Sequence, residues 1–249
     1  MTNASTDAST NASSALDLSG VHFAYRRGAP DVITIPRFTL ARGERVFLKG
    51  ASGSGKSTLL GLIAGVLQPG AGSLHVLGTA LTELSAPDRD RFRAAHLGVI
   101  FQMFNLLPYL PVGANVTLPC RFSAARAMAA QAAGGIEPEA RRLLSRLGLD
   151  TTDVWDRRAA ELSVGQQQRV AAARALIGGP GLILADEPTS ALDADSRDSF
   201  IALLKDECEA SGAALLFVSH DGGLADHFDR ALDLSELNTA SAAKAGAHP

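Results

Sequence analysis

Gly50-Ala51-Ser52-Gly53-Ser54-Gly55-Lys56-Ser57 is the stretch on which the rest of this chain is read. It fits G-x-x-x-x-G-K-[ST], a phosphate-binding loop set between a strand and a helix. Glycines at 50, 53 and 55 let the backbone curl so that successive N–H groups face inward. The helix that follows aims its positive end at the same spot, which completes an anion nest. Gly50, Ser52, Gly53, Ser54, Gly55 and Thr58 are the expected contacts to the phosphates of a nucleoside triphosphate. Lys56 would reach the β- and γ-phosphates as a point charge, and the Ser57 hydroxyl would sit on Mg²⁺.

The flanks have the order this loop needs. Arg45 to Leu48 is a short apolar run ending at Gly50, and Leu59, Leu60, Ile63, Val66 and Leu67 recur at helical spacing. Upstream, Leu18, Val21, Phe23 and Tyr25, then Val32, Ile33 and Ile35, then Phe38 and Leu40 read as antiparallel strands. Tyr25 closes the first run beside Arg26 and Arg27, where it could stack on a base or pack into the core.

Downstream, Leu97 to Gln102 is an apolar strand ending on an amide, either at the strand edge where ligands bind in α/β sheets or in an ordinary loop. Residues 103–119 are apolar with three prolines, and helices are expected at about 124–133 and 137–147. Phe104, Leu106 and Leu107 are more apolar than an exposed loop needs, so they either receive a partner or pack this helical insertion. Ser163 and Gly165 open a further helix carrying Val170, Ala173 and Ile177, a geometry shared by anion sites and plain N-caps. Leu182 to Glu187 is an apolar strand ending in two carboxylates. Asp186 could hold Mg²⁺ through water and Glu187, one step later, could face an attacking water. Ala214 to Ser219 is another apolar strand, ending on His220.

Composition bounds the remaining choices. A chain of 249 residues with 46% hydrophobic content can fill one large α/β domain. A net charge of −3 without a long basic block does not suggest a nucleic-acid surface. Cys120 and Cys208 lack metal or disulfide spacing, as expected of the cytoplasm. No run approaches the roughly 20 apolar residues of a membrane span, so a membrane role would need a partner. The Asn-Lys-x-Asp motif of GTPases is absent.

Taken together, these residues resemble the nucleotide-binding domain of an ABC ATPase over about Leu16 to Leu234. Lys56 lies in the P-loop, Gln102 in the Q-loop, Leu162-Ser163-Val164-Gly165-Gln166 at the signature, Asp186-Glu187 in Walker B, Ser190 to Asp193 in the D-loop, and His220 at the switch position. The resemblance implies an α/β fold, a P-loop NTPase core with an antiparallel β-subdomain and a helical subdomain. It implies ATP and Mg²⁺ as cofactors, Tyr25 stacking on adenine, and Gln102 touching Mg²⁺ and sensing a transporter. Ser57 and Asp186 would be the other metal contacts. Catalysis would fall to Glu187 as general base, with Gln102 and with His220 on the γ-phosphate. Ser163, Gly165 and Gln166 would meet ATP across a head-to-tail homodimer. Val164 stands where the family usually has glycine.

Phe101 to Pro108 and Asn115 to Pro119 are similar to ATPases of macrolide-export and lipoprotein-release systems, although importer ATPases share part of this pattern. The expected partner is a permease in the inner membrane, with this chain peripheral on its cytoplasmic face, not inserted in the bilayer and not bound to nucleic acid. The alternative is a soluble ABC-type ATPase acting on nucleic acid or ribosomes. Its relatives typically carry paired cassettes, coiled-coil insertions or zinc-binding cysteines, which this chain lacks. The expected boundaries are a tail at 1–15, an ATPase domain at 16–237 with its helical subdomain at about 103–178, and a tail at 238–249.

Overall fold

The structure, a computed structural model, describes residues 14–240. Most of both expected tails lies outside these residues. At the edges, Ser14 and Ala15 belong to the first strand, and Asn238 is buried. The described residues form two units, 14–93 with 216–240, and Ala94–Leu215.

The first unit contains an antiparallel sheet. Strand β1 (Ser14–Phe23) pairs with β2 (Ile33–Ala41) on one side and β4 (Ala71–Val76) on the other, and β4 pairs with the short β5 (Thr79–Ala80). Leu16 and Leu18 are buried, but the next buried residues are Val21 and Phe23, so the alternation slips by one at Ser19-Gly20. The β1–β4 register shifts at the same place, as an inserted bulge residue requires. Gly20 adopts φ +56, and a side chain on Gly72 would lie 2.1 Å from the Gly20 carbonyl oxygen. β2 runs through Pro36 as one strand where the hydrophobic pattern suggests two. Proline is tolerated there because β2 is the edge strand of its sheet.

The same unit holds strands in the order β8-β3-β9, with β3 parallel to β9, where β3 is Arg45–Lys49, β8 is Ala214–Ser219 and β9 is Arg230–Asp233. β8 begins in the other unit and reaches this one at Leu216. Phe47, Phe217 and Phe228 cluster with ring centroids 5.0 to 6.2 Å apart, a range in which aromatic pairs add to simple burial. Helix α1 (Lys56–Ile63) follows β3 and buries Leu59, Leu60, Leu62 and Ile63. Helix α2 (Ala86–His96) buries no residue and carries two i,i+3 ion pairs, Arg91 with Asp88 and Arg93 with Asp90.

In the second unit, β6 (Leu97–Ile100) runs parallel to β7 (Leu182–Asp186). The helices are α3 (Val112–Phe122), α4 (Ala124–Ala132), α5 (Ile136–Arg146), the short α6 (Thr151–Val154), α7 (Val164–Leu176) and α8 (Ala194–Ser211). α3 occupies part of the apolar stretch with three prolines, where no helix is expected from the sequence. Pro111 is its N-cap, where a missing N–H costs no helical bond, whereas Pro119 lies inside the helix and leaves the Asn115 carbonyl without its i→i−4 donor. Arg126 is 2% exposed and donates to the carbonyls of Leu97, Ala175 and Ile177, which ties α4 to the start of β6 and the end of α7. Burial away from carboxylates lowers its pKa to about 10. Buried Glu207 on α8 accepts from Arg142 at 3.1 Å and Arg146 at 2.8 Å, both on α5.

Gly98 sets how closely β6 approaches its neighbours. A Cβ there would lie 2.4 Å from both the Ala175 carbonyl oxygen and Ile183 Cδ1. Gly98→Ala is expected to cost about 1–3 kcal/mol of stability through overpacking. Urea denaturation measures this, and an unchanged midpoint would contradict the close approach.

Candidate nucleotide-binding site

In the first unit, the Gly50 N–H donates to the Ser219 carbonyl at 3.1 Å, so the loop leaves β3 while joined to the end of β8. His220 follows directly and is exposed at that edge. Gly53 and Gly55 hold φ +78 and +100, backbone that L-residues rarely adopt. Gly55 is the N-cap of α1, no side chain caps that helix, and its first turn has no acid. The orphan N–H groups of α1 are thus placed for an external anion.

Three further details fit a phosphate group. Lys56 Nζ donates to the carbonyls of Gly50 at 2.6 Å and Ala51 at 3.2 Å, which holds the ammonium over the loop. The Ser54 hydroxyl is buried and makes no hydrogen bond in the described structure. A side chain on Gly50 would meet Ser54 Oγ at 2.8 Å and Lys56 Cγ at 3.0 Å, so only glycine leaves this cradle open. Tyr25 is 64% exposed, which excludes the core alternative for its ring. It packs edge-on against Phe23 at 5.0 Å, and its hydroxyl is 2.9 Å from Thr58 Oγ1, so one face stays open above α1.

In the second unit, the β6–β7 register pairs Ile100 with Ala185. Gln102 and Glu187 each stand two residues beyond that pair, at the C-terminal edge of neighbouring strands. Gln102 is exposed and Asp186 is half-buried. Glu187 is 6% exposed and holds φ +47, a strained conformation of the kind that collects at functional sites. Its carbonyl accepts from Ser190 N–H at 3.2 Å and starts the turn into α8, which Asp193 caps. Hydrogen bonds from Ser196 hold the Asp193 carboxyl below its usual pKa.

α7 is built differently from α1. Ser163 Oγ accepts from Gln166 N–H at 3.3 Å, and Gln166 Oε1 accepts from Ser163 N–H at 3.0 Å, a full capping box. Because Ser163 Oγ acts there as acceptor, its own hydrogen remains a donor for a ligand. Ser163 is exposed, Val164 is 47% exposed, and a side chain on Gly165 would only touch Leu192 at 3.6 Å. Val164 therefore points to solvent and does not fill the turn.

Of the two readings open for Phe104, packing is the one the structure supports. The residue is 8% exposed, with φ +59, and its carbonyl accepts from Arg174 on α7 at 2.6 Å. The Asn105 carbonyl accepts from the same guanidinium at 2.6 Å. The exposed apolar residues nearby are Phe101 (41%), Met103 (81%) and Tyr109 (67%). Arg174 had no signal in the sequence pattern, and the buried Asn115, whose side chain bonds the backbone of Leu107 at both N–H and C=O, was marked there only by resemblance. Among the described residues no three His, Cys, Asp or Glu side chains cluster as a metal site, so the acidic ligands number fewer than a protein-only cage needs. The Ser57 hydroxyl and Asp186 carboxylate are oxygen donors of the kind Mg²⁺ accepts when phosphates complete its shell.

A glycine nest on an uncapped helix, following a strand of a parallel set, defines a P-loop nucleotide-binding protein. The ABC transporter family pattern matches residues 34–190, and the chain belongs to that family. It is 45% identical over 202 residues to the lipoprotein-releasing system ATP-binding protein LolD 1 of Caulobacter vibrioides, covering 80% of this chain and 82% of that one. It is 39% identical over 223 residues to the macrolide export ATP-binding/permease protein MacB 2 of Aeromonas hydrophila, covering 89% of this chain but 33% of that larger protein. A dimeric ATP-binding cassette solved in a post-hydrolysis state with ADP and Pi superposes with a TM-score of 0.76 at 31% identity, covering 90% of this chain and 95% of that one. The chain is an ATP-binding, ATP-hydrolysing ABC cassette with the expected mixed α/β fold.

Proposed function

We propose that this chain is the ATPase subunit of an export or lipoprotein-release type ABC transporter, working as a head-to-tail homodimer on a separate permease at the cytoplasmic face of the inner membrane. The observation that carries the subclass is the 45% identity to a lipoprotein-releasing ATPase across 82% of that protein. No helix among the described residues is long and apolar enough to cross a membrane, in keeping with a partner supplying the spans.

In this proposal Gly50, Ser52, Gly53, Ser54, Gly55, Lys56, Ser57 and Thr58 hold the triphosphate, and Tyr25 supports the adenine. Ser57, Asp186 and Gln102 hold Mg²⁺, which when bound neutralises charge on the phosphate oxygens. Glu187 takes a proton from the attacking water, and His220 donates to the γ-phosphate. Ser163, Gly165 and Gln166 of the second protomer close the site. These assignments are supported by the open α1 terminus, the buried and strained Glu187, and the donor hydrogen of Ser163.

The permease is expected to dock on exposed Phe101, Met103 and Tyr109. The test is to reconstitute the ATPase in proteoliposomes with the permease encoded beside its gene. Met103→Asp is expected to abolish permease-stimulated hydrolysis and recruitment while leaving the ATPase of the free protein within about twofold, since solvent-facing changes seldom disturb folding. Full stimulation of Met103→Asp would move the docking surface elsewhere. Stimulation of the wild type by RNA or ribosomes, and not by the permease, would overturn the transport assignment.

A further inference from the structure

Residue Asn238 lies within the polar end of the chain, yet it is fully buried. All of its amide hydrogen-bonding capacity is in use. Oδ1 accepts from Thr34 N–H at 2.7 Å and from Ala240 N–H at 3.3 Å. Nδ2 donates to the Val32 carbonyl at 2.8 Å and, at the longer distance of 3.4 Å, to the Ser54 carbonyl in the phosphate-binding loop. Thr239 adds two bonds to the Thr34 carbonyl, from its N–H at 2.9 Å and its hydroxyl at 3.1 Å. The segment after helix α9 (Leu234–Leu237) is thus fastened along β2. From there the Asn238 amide continues to the loop.

Its position bears on Gly55. A side chain on Gly55 would lie 2.9 Å from Ile33 Cδ1, 3.5 Å from the Val32 carbonyl and 3.6 Å from Asn238 Nδ2. The loop therefore rests on a wall made of Val32, Ile33 and Asn238. A trans peptide is planar and points its C=O and N–H in opposite directions. A Ser54 carbonyl drawn back toward Asn238 turns the Gly55 N–H the other way, into the nest where phosphate oxygens are held. The amide orientation is itself fixed, because the Thr34 N–H requires an acceptor and the Val32 carbonyl a donor.

We propose that Asn238 is a positioning residue for ATP binding: a C-terminal clip that holds the Ser54–Gly55 peptide in its phosphate-facing orientation. This rests on the assignment of the Gly50–Ser57 loop to the phosphates. Asn238→Asp keeps the acceptor toward Thr34 and replaces the donor toward Ser54 with an oxygen. Asn238→Ala removes both. Thr239→Val removes a hydroxyl bond from the same segment but leaves the contact to the loop, and so controls for simple loss of anchoring.

Dissociation constants for ATP and kcat and KM for hydrolysis would be measured for each variant, with melting temperatures alongside. The expected result is an ATP Kd and KM raised about three- to tenfold in both Asn238 variants, the size of one net hydrogen bond. The kcat should stay within about twofold, because Glu187 and His220 are untouched. Thr239→Val should lower the melting temperature with Kd unchanged. Wild-type Kd in a folded Asn238 variant, or an equal rise in Thr239→Val, would show that Asn238 only anchors the chain end. Lys56→Ala serves as the reference. If it binds ATP as the wild type does, the loop assignment fails and the clip fails with it, whereas loss of binding in Lys56→Ala alone sinks only the clip. Should neither Asn238 variant fold, hydrogen exchange on the wild type decides. ATP is expected to slow exchange at Thr34 and Thr239, and unchanged rates there would overturn the proposal.

Discussion

Replacing Glu187 with Gln is expected to lower kcat for ATP hydrolysis by roughly 10²- to 10⁴-fold, the usual contribution of a positioned general base, while ATP still binds. Gln matches the shape of Glu and lacks its basicity. The side chain is buried and its backbone adopts φ +47, so a change of shape would confound the experiment with unfolding. Gln avoids this. Melting temperature and ATP affinity should therefore match the wild type, and the variant should accumulate as an ATP-bound dimer visible by size exclusion. Near-normal turnover would refute the assignment of Glu187 as base.

Lys56→Ala is expected to weaken ATP binding by about 30-fold or more, as truncating one member of a desolvated charge pair does. The ammonium already lies over the loop, on the carbonyls of Gly50 and Ala51. Removing it leaves the phosphates with backbone N–H groups and without the charge of the lysine. A thermal shift assay separates the two roles of the lysine. Without nucleotide the variant should melt near the wild-type temperature. With ATP at about 100 times the wild-type Kd, the wild type gains about 2.7 kcal/mol and the variant little. An equal ATP-dependent shift in both proteins would contradict the assignment.

The site was legible where a chemical task restricts residue type. A nest of N–H groups needs glycine, so the Gly50–Ser57 loop could be found without a structure, and carboxylates ending an apolar strand single out Asp186 and Glu187 as candidates. The positive φ of Glu187 could not be read, because nothing in Glu-Pro-Thr specifies a left-handed backbone. Helix α3 was obscured by its prolines, which carry a helix-breaking signal; Pro111 falls at the N-cap, but Pro119 lies within the helix. Phe104 could be read as a surface anchor or as packing, because hydrophobicity alone does not say which side of a loop is buried. Arg126 and Arg174 donate to backbone carbonyls from other elements, and that kind of pairing leaves no periodic trace. Asn238 was assigned to a tail on composition, yet a single well-placed amide suffices to order its segment.

The most direct test of the whole account is whether one ATP site draws on two chains. Lys56→Ala damages the nest and keeps Ser163, and Ser163→Arg does the reverse. A mixed head-to-tail dimer then has one doubly damaged site and one intact site. Vanadate trapping of labelled nucleotide would be measured for each variant and for the mixture, after mixed dimers have been isolated through two different affinity tags. The expected result is that neither variant traps alone and the mixed dimer recovers about half of wild-type trapping, from its one intact site of two. Trapping in the mixed dimer no greater than the sum of the separate variants would contradict a shared site.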